Sequence, residues 1–490
     1  MKKLTLLFLL FCNLTFASFD MNDNIQKSYL HIINLEFVKA NALLDSEKLH
    51  NPENGFIPLY RNYIDFLTIL ITEDIDYFQL HEHFKNERLS LLDKNDKSSP
   101  FYLYSKAEIN LQWAFSRLKF EQYILASYEI IKAYRLLKEN QNKFPDFTLN
   151  NKGLGIIHAF LGAVPKDFSW LVNLAGLNSG VSLGLSELDS LLNDPRFEIY
   201  EYEILFMLSF LQINFTNNED VCQQYLKRIG YKYRDNLLLN FAAARLSHNI
   251  GDNKYCLEVL KDRPDVTDKI PFYYLDYLQA MAYLYMLDFN NAQQKFEYFL
   301  KNFHGLNYIK SAYHKLAWIA FLRNDIVMKE KYFSRVISDG NTFIDEDRVA
   351  LKDAQLDYIS HPILLKSRLL YDGGYYFLAL SALNKIELPA HLPDIINQIE
   401  YWYRLARIKS KLNSSESEII KYYKKALKEG ENSSSYYAPM SALQLGLIYE
   451  NNKDLNNAKY YFDKCLSMSD FDYKRGIHQK AKAALNRLLD

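Results

Sequence analysis

A pattern of small and large apolar residues near the C-terminal end constrains the fold of this chain more than any other feature. Two groups of such residues flank a polar turn at residues 451–454, and each group has the spacing of one helix face. The residues that we expect to pack in this pair are Leu445, Gly446, Tyr449, Ala458, Phe462 and Cys465. Antiparallel helices come close only where small side chains meet, so Gly446 is predicted to face Ala458.

The same spacing recurs upstream and resembles the tetratricopeptide repeat, a pair of antiparallel helices of about 34 residues. Intervals between the residues that open each predicted second helix are 35 to 40 residues, except for 50 residues from Lys329 to Ala379. That longer interval predicts an insertion at residues 340–361. The opening residues are Val221, Cys256, Ala292, Lys329, Ala379, Ile419 and Ala458. The resemblance implies an all-α fold, an α-solenoid of antiparallel helix pairs.

Composition and charge narrow the class of protein. With 12 prolines and 16 glycines in 490 residues, the chain has too few turn-forming residues for an all-β fold. A repeat array can reach this length because each unit packs only on its neighbours. The formal net charge is −1 and no basic run is present, which argues against nucleic acid as a partner.

The first 17 residues have the layout of a secretory signal peptide. Two lysines precede an apolar run at residues 4–11, and the small residues Thr15 and Ala17 mark a cleavage point. Lipidation at Cys12 is the alternative, but Phe11 is bulkier than the residue that normally precedes a lipidated cysteine. We therefore predict an exported protein, periplasmic or associated with the cell envelope. A later apolar run at residues 204–213 is shorter than the roughly 20 residues of a membrane span.

A glycine-rich segment interrupts the repeats. It contains Gly153, Gly155, Gly162, Gly176, Gly180 and Gly184. We interpret it as two or three short apolar helices in close contact, with a break at Pro165. A phosphate loop would need a following Gly-Lys-Ser/Thr, which is absent; a hairpin in peripheral contact with a membrane is a second alternative. Residues 153–188 also resemble tetratricopeptide proteins of the inclusion-body-clearance type, which implies a protein-interaction role.

These features divide the chain into five predicted segments. They are a signal peptide at 1–17, N-terminal helical repeats at 18–150, the glycine-rich insert at 151–195, a tetratricopeptide-like array at 196–470, and a C-terminal capping helix at 471–490.

Sequence signals for catalysis, metal binding or cofactor binding are weak. His81 and His83 lie two residues apart on a predicted helix at residues 77–92, so their side chains would point to different sides. The sequence has no HExxH or Cys-x-x-Cys pattern. The three cysteines that follow the signal peptide show no paired spacing for disulfides. We predict no enzyme activity, no cofactor and no metal site.

The resemblance also implies a binding groove, lined by the first helix of each pair. The residues at the groove positions are Phe241, Arg245, His248, Tyr277, Met281, Tyr285, His314, Trp318, Tyr403 and Arg407. Aromatic and arginine side chains are common anchors of protein interfaces. We therefore predict a scaffold or assembly factor that binds an extended peptide or protein partner. A carbohydrate- or small-ligand-binding module is the alternative, and the aromatic residues would equally suit a solenoid core.

Overall fold

The computed structural model describes residues 19–163, 180–216, 218–387 and 391–488. Within these ranges, α-helices follow one another along the chain and no β-strand occurs. The predicted all-α class is confirmed. The predicted signal peptide and the centre of the glycine-rich insert, with Pro165 and Gly176, lie outside the described residues.

The described residues form two units. Those of unit 1 lie within 1–164, 168–211 and 265–271, and those of unit 2 lie within 212–264 and 272–490. Unit 1 contains α1 (Asp23–Ile33), α2 (Phe37–His50), α3 (Phe56–Thr72), α4 (Ile75–His81), α5 (Phe84–Leu92), α6 (Pro100–Lys119), α7 (Tyr123–Lys143), α8 (Asn150–Ala163), α9 (Val181–Leu192), a 3₁₀ segment (Pro195–Tyr200) and α10 (Glu201–Leu211).

Unit 2 consists of helix pairs with one additional helix and a terminal one. Its elements are a π turn (Gln212–Thr216), α11 (Glu219–Ile229), a 3₁₀ segment (Gly230–Arg234), α12 (Leu237–Asn249), α13 (Asn253–Lys261), α14 (Tyr274–Tyr285), α15 (Phe289–Asn302), α16 (Ile309–Leu322), α17 (Ile326–Ser338), α18 (Asp345–Gln355), α19 (Pro362–Asp372), α20 (Tyr376–Leu383), α21 (Ile395–Lys411), α22 (Glu416–Glu429), α23 (Tyr437–Asn451), α24 (Leu455–Ser467) and α25 (Lys474–Arg487). The extra helix α18 lies in the predicted insertion at 340–361.

The turn within four of these pairs is built in the same way. An aspartate side chain caps the second helix by accepting a hydrogen bond from the backbone N–H three residues later. The residue before each aspartate has a positive φ, which ends the first helix. The aspartates are Asp252, Asp288, Asp325 and Asp454. Such a cap contributes about 1 kcal/mol to helix stability, so the polar turn chemistry is part of the repeat.

The pair formed by α23 and α24 is joined at the predicted polar turn, and the atoms nearest to Gly446 belong to Phe462. A Cβ atom added at Gly446 would overlap the Phe462 ring, and the nearest atoms all belong to that ring. Ala458 is fully buried in the same core, one turn away from Phe462. The Phe462 ring of the second helix therefore fills the space that the glycine leaves, and a contact between Gly446 and Ala458 stays a prediction.

We expect Gly446→Leu to destabilise the C-terminal pairs of unit 2 by about 1–3 kcal/mol, because a branched side chain cannot share the space of the Phe462 ring. The loss should concentrate near the mutation, since repeat stability is roughly a sum over neighbouring units. Hydrogen exchange across residues 430–488 measures it. Gly476→Leu is the matched control, because a Cβ at Gly476 meets no atom within 4 Å. Equal protection in both variants would contradict the assigned contact.

Two further sequence predictions are resolved by the helices of unit 1. The helix predicted at 77–92 is divided into α4 and α5, with the break at Glu82 and His83, so that prediction is wrong. The glycines of α8 and α9 allow those helices into backbone contact: a Cβ at Gly155 would lie 2.8 Å from the Gly184 carbonyl oxygen. No described helix is both long enough and apolar enough to cross a membrane.

Candidate functional site

Unit 2 contains a cavity of about 320 Å³ between the first helices of successive pairs. Its wall is formed by α12, α14, α16 and α19, with contributions from the inserted helix α18 and from Tyr473 before α25. Tyr274, Tyr308 and Trp318 supply rings, and charged groups of both signs reach the same space. The cavity therefore combines aromatic walls with ionisable groups, as ligand sites commonly do.

Seven of the ten predicted groove residues line this cavity. They are Arg245, His248, Tyr277, Met281, Tyr285, His314 and Trp318. The other three lie elsewhere in unit 2. Phe241 stacks on Phe272 with ring centroids 5.7 Å apart, and Tyr403 is buried against Tyr437. The guanidinium of Arg407 lies over the Tyr371 ring at 4.1 Å.

The residues that line the cavity differ in how deeply their side chains are buried in the protein core. Tyr277 and Trp318 are only 4% and 5% exposed, and Tyr277 packs on Phe296 and Phe299 of the second helix in its pair. Arg245 and Tyr285, in contrast, are half-buried. The core and binding interpretations of the aromatic residues therefore apply at different positions. Tyr277 and Trp318 support the fold and shape the wall, whereas the half-buried residues offer surface to a ligand.

The sequence prediction missed the charged groups of the wall. Glu346 and Asp353 come from the inserted helix α18, which the tetratricopeptide spacing does not describe. Arg368 and Asp372 lie one helical turn apart near the end of α19. Lys315 directly follows the predicted His314. A helical period applied to all polar residues of α16 and α19, rather than to aromatic residues alone, would have found the last three.

His314 and Trp318 are held by a hydrogen bond one turn apart on α16. Trp318 Nε1 donates to His314 Nε2 at 2.9 Å. Burial lowers the pKa of His314 well below its usual value, and the nearby charges of Lys315 and Arg368 lower it further. The ring is therefore neutral at pH 7 with its proton on Nδ1, an atom that has no hydrogen-bond partner among the described residues. This pair fixes the indole plane that faces the cavity.

Burial displaces the pKa values of several ionisable groups that line the cavity. Burial, together with the Arg368 charge, lowers the pKa of Lys315 to about 7. Burial raises the pKa of Asp353 to about 6. The pKa of His248 is lowered to about 4 by burial and by Arg245, so that ring is also neutral at pH 7. Such displaced values are frequent at binding sites.

Metal binding finds no support in the described ranges, where no group of three or more His, Cys, Asp or Glu side chains is placed to hold an ion. His81 stacks on Tyr77 at 3.8 Å, and His83 lies 3.7 Å from Glu87. Cys222, Cys256 and Cys465 are free and buried.

The repeated pairs, their capped turns and their packing decide the fold. The described residues form antiparallel α-helix pairs, the fold that the sequence pattern predicts. Among solved structures, yeast Tom70 is similar over 95% of this chain and 88% of its own, with 12% identity and a TM-score of 0.34. The Cut9–Hcn1 hetero-tetramer of the APC/C is similar over 96% and 90%, with 11% identity and a TM-score of 0.29. No family model matches the chain, and no curated protein matches it. At these TM-scores we draw no functional conclusion from either structure.

Proposed function

We propose that the chain is an exported interaction scaffold that binds an extended segment of a protein partner along the first helices of unit 2. The observation that carries this proposal is the cavity itself. Residues chosen from the groove positions of three successive first helices line one space.

The half-buried lining residues supply the kind of contact that protein interfaces use. Arg245 has no ion-pair partner within the described ranges, and its side chain lies near the rings of Tyr274, Tyr285 and Tyr308. Tyr285 stacks on His248 with centroids 5.0 Å apart and planes within 4° of parallel. Preformed rings and an available guanidinium bind with little loss of side-chain entropy, which favours affinity.

Export is the second part of the proposal, and the N-terminal sequence supports it. Lys2, Lys3 and the apolar run at 4–11 have the layout of a cleaved leader. A scaffold in the periplasm or cell envelope would act on proteins that are assembled there.

A small-ligand module is the alternative function, and the volume of the cavity favours it. At about 320 Å³ the cavity is within the range of about 300–1,000 Å³ found for small-molecule sites. Rings such as Tyr274 and Trp318 would stack on a sugar as readily as on a peptide side chain.

We expect the double variant Arg245→Met/Tyr285→Leu to lose about 2 kcal/mol or more of binding energy for a groove partner, because it removes an available charge and a stacked ring. Both replacements keep apolar volume, so the fold should persist. Affinity capture from an extract of the source cells, with quantitative mass spectrometry, gives the proteins that bind the wild-type chain and not the variant.

Arg335→Met/Tyr298→Leu is the matched control, because both residues are exposed and lie on the second helices α17 and α15. The control should retain every partner of the wild-type chain. Identical partner sets for the groove and control variants would contradict the proposal. Stabilisation of the wild-type chain by oligosaccharides, with no protein lost from the groove variant, would establish the alternative.

A further inference from the structure

Two cations converge on one ring inside the cavity. The Lys315 ammonium lies 3.6 Å from the centroid of the Trp318 ring, and the Arg368 guanidinium carbon lies 5.0 Å from it. Each contact with the ring is favourable by itself. Two like charges at such a short separation also repel each other, and burial in a cavity strengthens the repulsion.

The positive groups are poorly compensated by the protein. Lys315 and Arg245 have no carboxylate within 4.0 Å in the described part of unit 2, and no hydrogen bond is formed by either side chain there. Arg368 has Asp372 at 3.7 Å, but Asp372 also lies 3.9 Å from Arg407. One carboxylate therefore serves two guanidinium groups.

The other Arg, His, Asp and Glu side chains that line the cavity come from four helices of its wall. Arg245 and His248 belong to α12, His314 to α16 itself, and Arg368 and Asp372 to α19. Glu346 and Asp353 belong to α18. Asp353 lies 3.4 Å from His314 Nε2, and Glu346 is exposed to solvent. Burial raises the pKa of Tyr285 and of Tyr473, so both side chains are uncharged at neutral pH. Apart from the exposed Glu346, the charged groups of the wall that lack a close partner are therefore cations.

We propose that the cavity binds an oxyanion against Lys315 and Arg368, beside the face of Trp318, and that binding is coupled to protonation of the Lys315 amine. This inference rests on the proposed function and deepens it, since the oxyanion would be an acidic side chain of the bound segment. A negative charge at this point attracts both cations, which offsets their mutual repulsion, and it gives the Lys315 ammonium an ion-pair partner.

Because of this coupling, the affinity for the anion decreases as the pH rises. In the empty cavity the pKa of Lys315 is about 7, so the amine is mostly charged at pH 6 and mostly neutral at pH 8. A bound anion favours the charged form and raises this pKa, so binding at pH 8 takes up close to one proton. We expect the affinity to fall about tenfold between pH 6 and pH 8. Asp353, with a pKa of about 6, loses its proton over the same interval and weakens the binding in the same direction.

Isothermal titration calorimetry of the full chain tests the proposal with two probes. One is sulfate, whose charge is constant from pH 6 to pH 8, and the other is an acetylated, amidated hexaglutamate peptide. Titration at pH 8 in buffers of different ionisation enthalpy measures the proton uptake. Tighter binding of the peptide than of sulfate identifies the ligand as an acidic segment, whereas equal binding identifies a free oxyanion.

Two variants of Lys315 separate its charge from its protonation. Lys315→Met should abolish binding of both probes. Lys315→Arg keeps a charge that does not titrate, so it should bind at both pH values with almost no proton uptake, and any remaining pH dependence then belongs to Asp353. The exposed lysine Lys331, on α17, gives the control Lys331→Met, which should behave as the wild-type chain.

Absence of binding to both probes at pH 6, or binding that survives Lys315→Met, would overturn the site. Binding without proton uptake at pH 8 would overturn the coupling. The experiment is independent of partner capture. Capture that depends on Arg245 and Tyr285 but is unchanged by Lys315→Met would leave the scaffold function intact and refute this inference alone. Thermal unfolding of each variant verifies that the fold is retained.

Discussion

Lys152→Met is expected to lower the free energy of unfolding of unit 1 by about 3–5 kcal/mol, the usual cost of removing one partner from a buried ion network. Lys152 is 0% exposed. Its ammonium donates to Glu108 at 2.7 Å, to Glu203 at 2.8 Å and to the Tyr63 hydroxyl. Burial lowers the pKa of Lys152, but the two carboxylates outweigh this effect and raise it above the usual value. Removing the ammonium would leave two buried carboxylates facing each other.

The matched variants test that explanation. Lys152→Met/Glu108→Gln/Glu203→Gln removes all three charges and should recover most of the lost stability. Lys132→Met, at an exposed position of α7, should leave the denaturation midpoint unchanged. Chemical denaturation gives the midpoints, and hydrogen exchange over α3 and α8 locates the effect in unit 1. A midpoint for Lys152→Met equal to that of the wild type would show that the network contributes no net stability.

This network shows which part of the structure the sequence does not reveal. Lys152, Glu108 and Glu203 lie on three helices, and the lysine is separated from the two carboxylates by 44 and 51 residues. Each is an ordinary polar residue in its own segment. Only the tertiary packing of α6, α8 and α10 shows that they are buried together. The helix pairs, in contrast, were predictable because their apolar period and polar turns are local.

The candidate site likewise contains residues that the sequence predicts and residues that it does not. Arg245, Tyr285 and Trp318 were predictable from their positions on first helices, since the repeat places equivalent residues on the same surface. Glu346 and Asp353 could not be assigned to that surface, because α18 belongs to an insertion and its packing on α16 and α17 is not set by the repeat. The repeat pattern therefore could not predict which charges line the cavity, and these charges determine which ligand can bind there.

Side-chain size determines which residue lies nearest to Gly446. The pattern indicates that the two helices approach each other closely at Gly446. The space beside a small residue on one helix can be filled either by a small residue or by a large side chain on the other. In this pair the Phe462 ring occupies the space, and Ala458 packs a turn away. Spacing alone cannot distinguish these two arrangements, because both bury the same residues.

The glycines of α8 and α9 present the opposite case, in which a backbone meets a backbone. A Cβ at Gly184 would overlap the Gly155 carbonyl oxygen and lie 2.8 Å from both Cβ and N of Ala159. A rigid main chain cannot yield as the end of a side chain can. We therefore expect Gly184→Ala to cost at least the upper part of the about 1–3 kcal/mol range for overpacking, although alanine favours an isolated helix.

Gly180→Ala is the matched control for this prediction, because among the described residues its Cβ would meet only the Leu183 Cβ, at 3.9 Å. Chemical denaturation should show a large loss of stability for Gly184→Ala and little for Gly180→Ala. Exchange should increase in both α8 and α9, since separating the helices exposes the contact from each side. If both variants unfold at the wild-type midpoint, the helices do not touch through their backbones, and the glycines of this segment require a different explanation. A loss confined to α9 would instead indicate a local effect on that helix, because a true backbone contact must transmit the damage to α8.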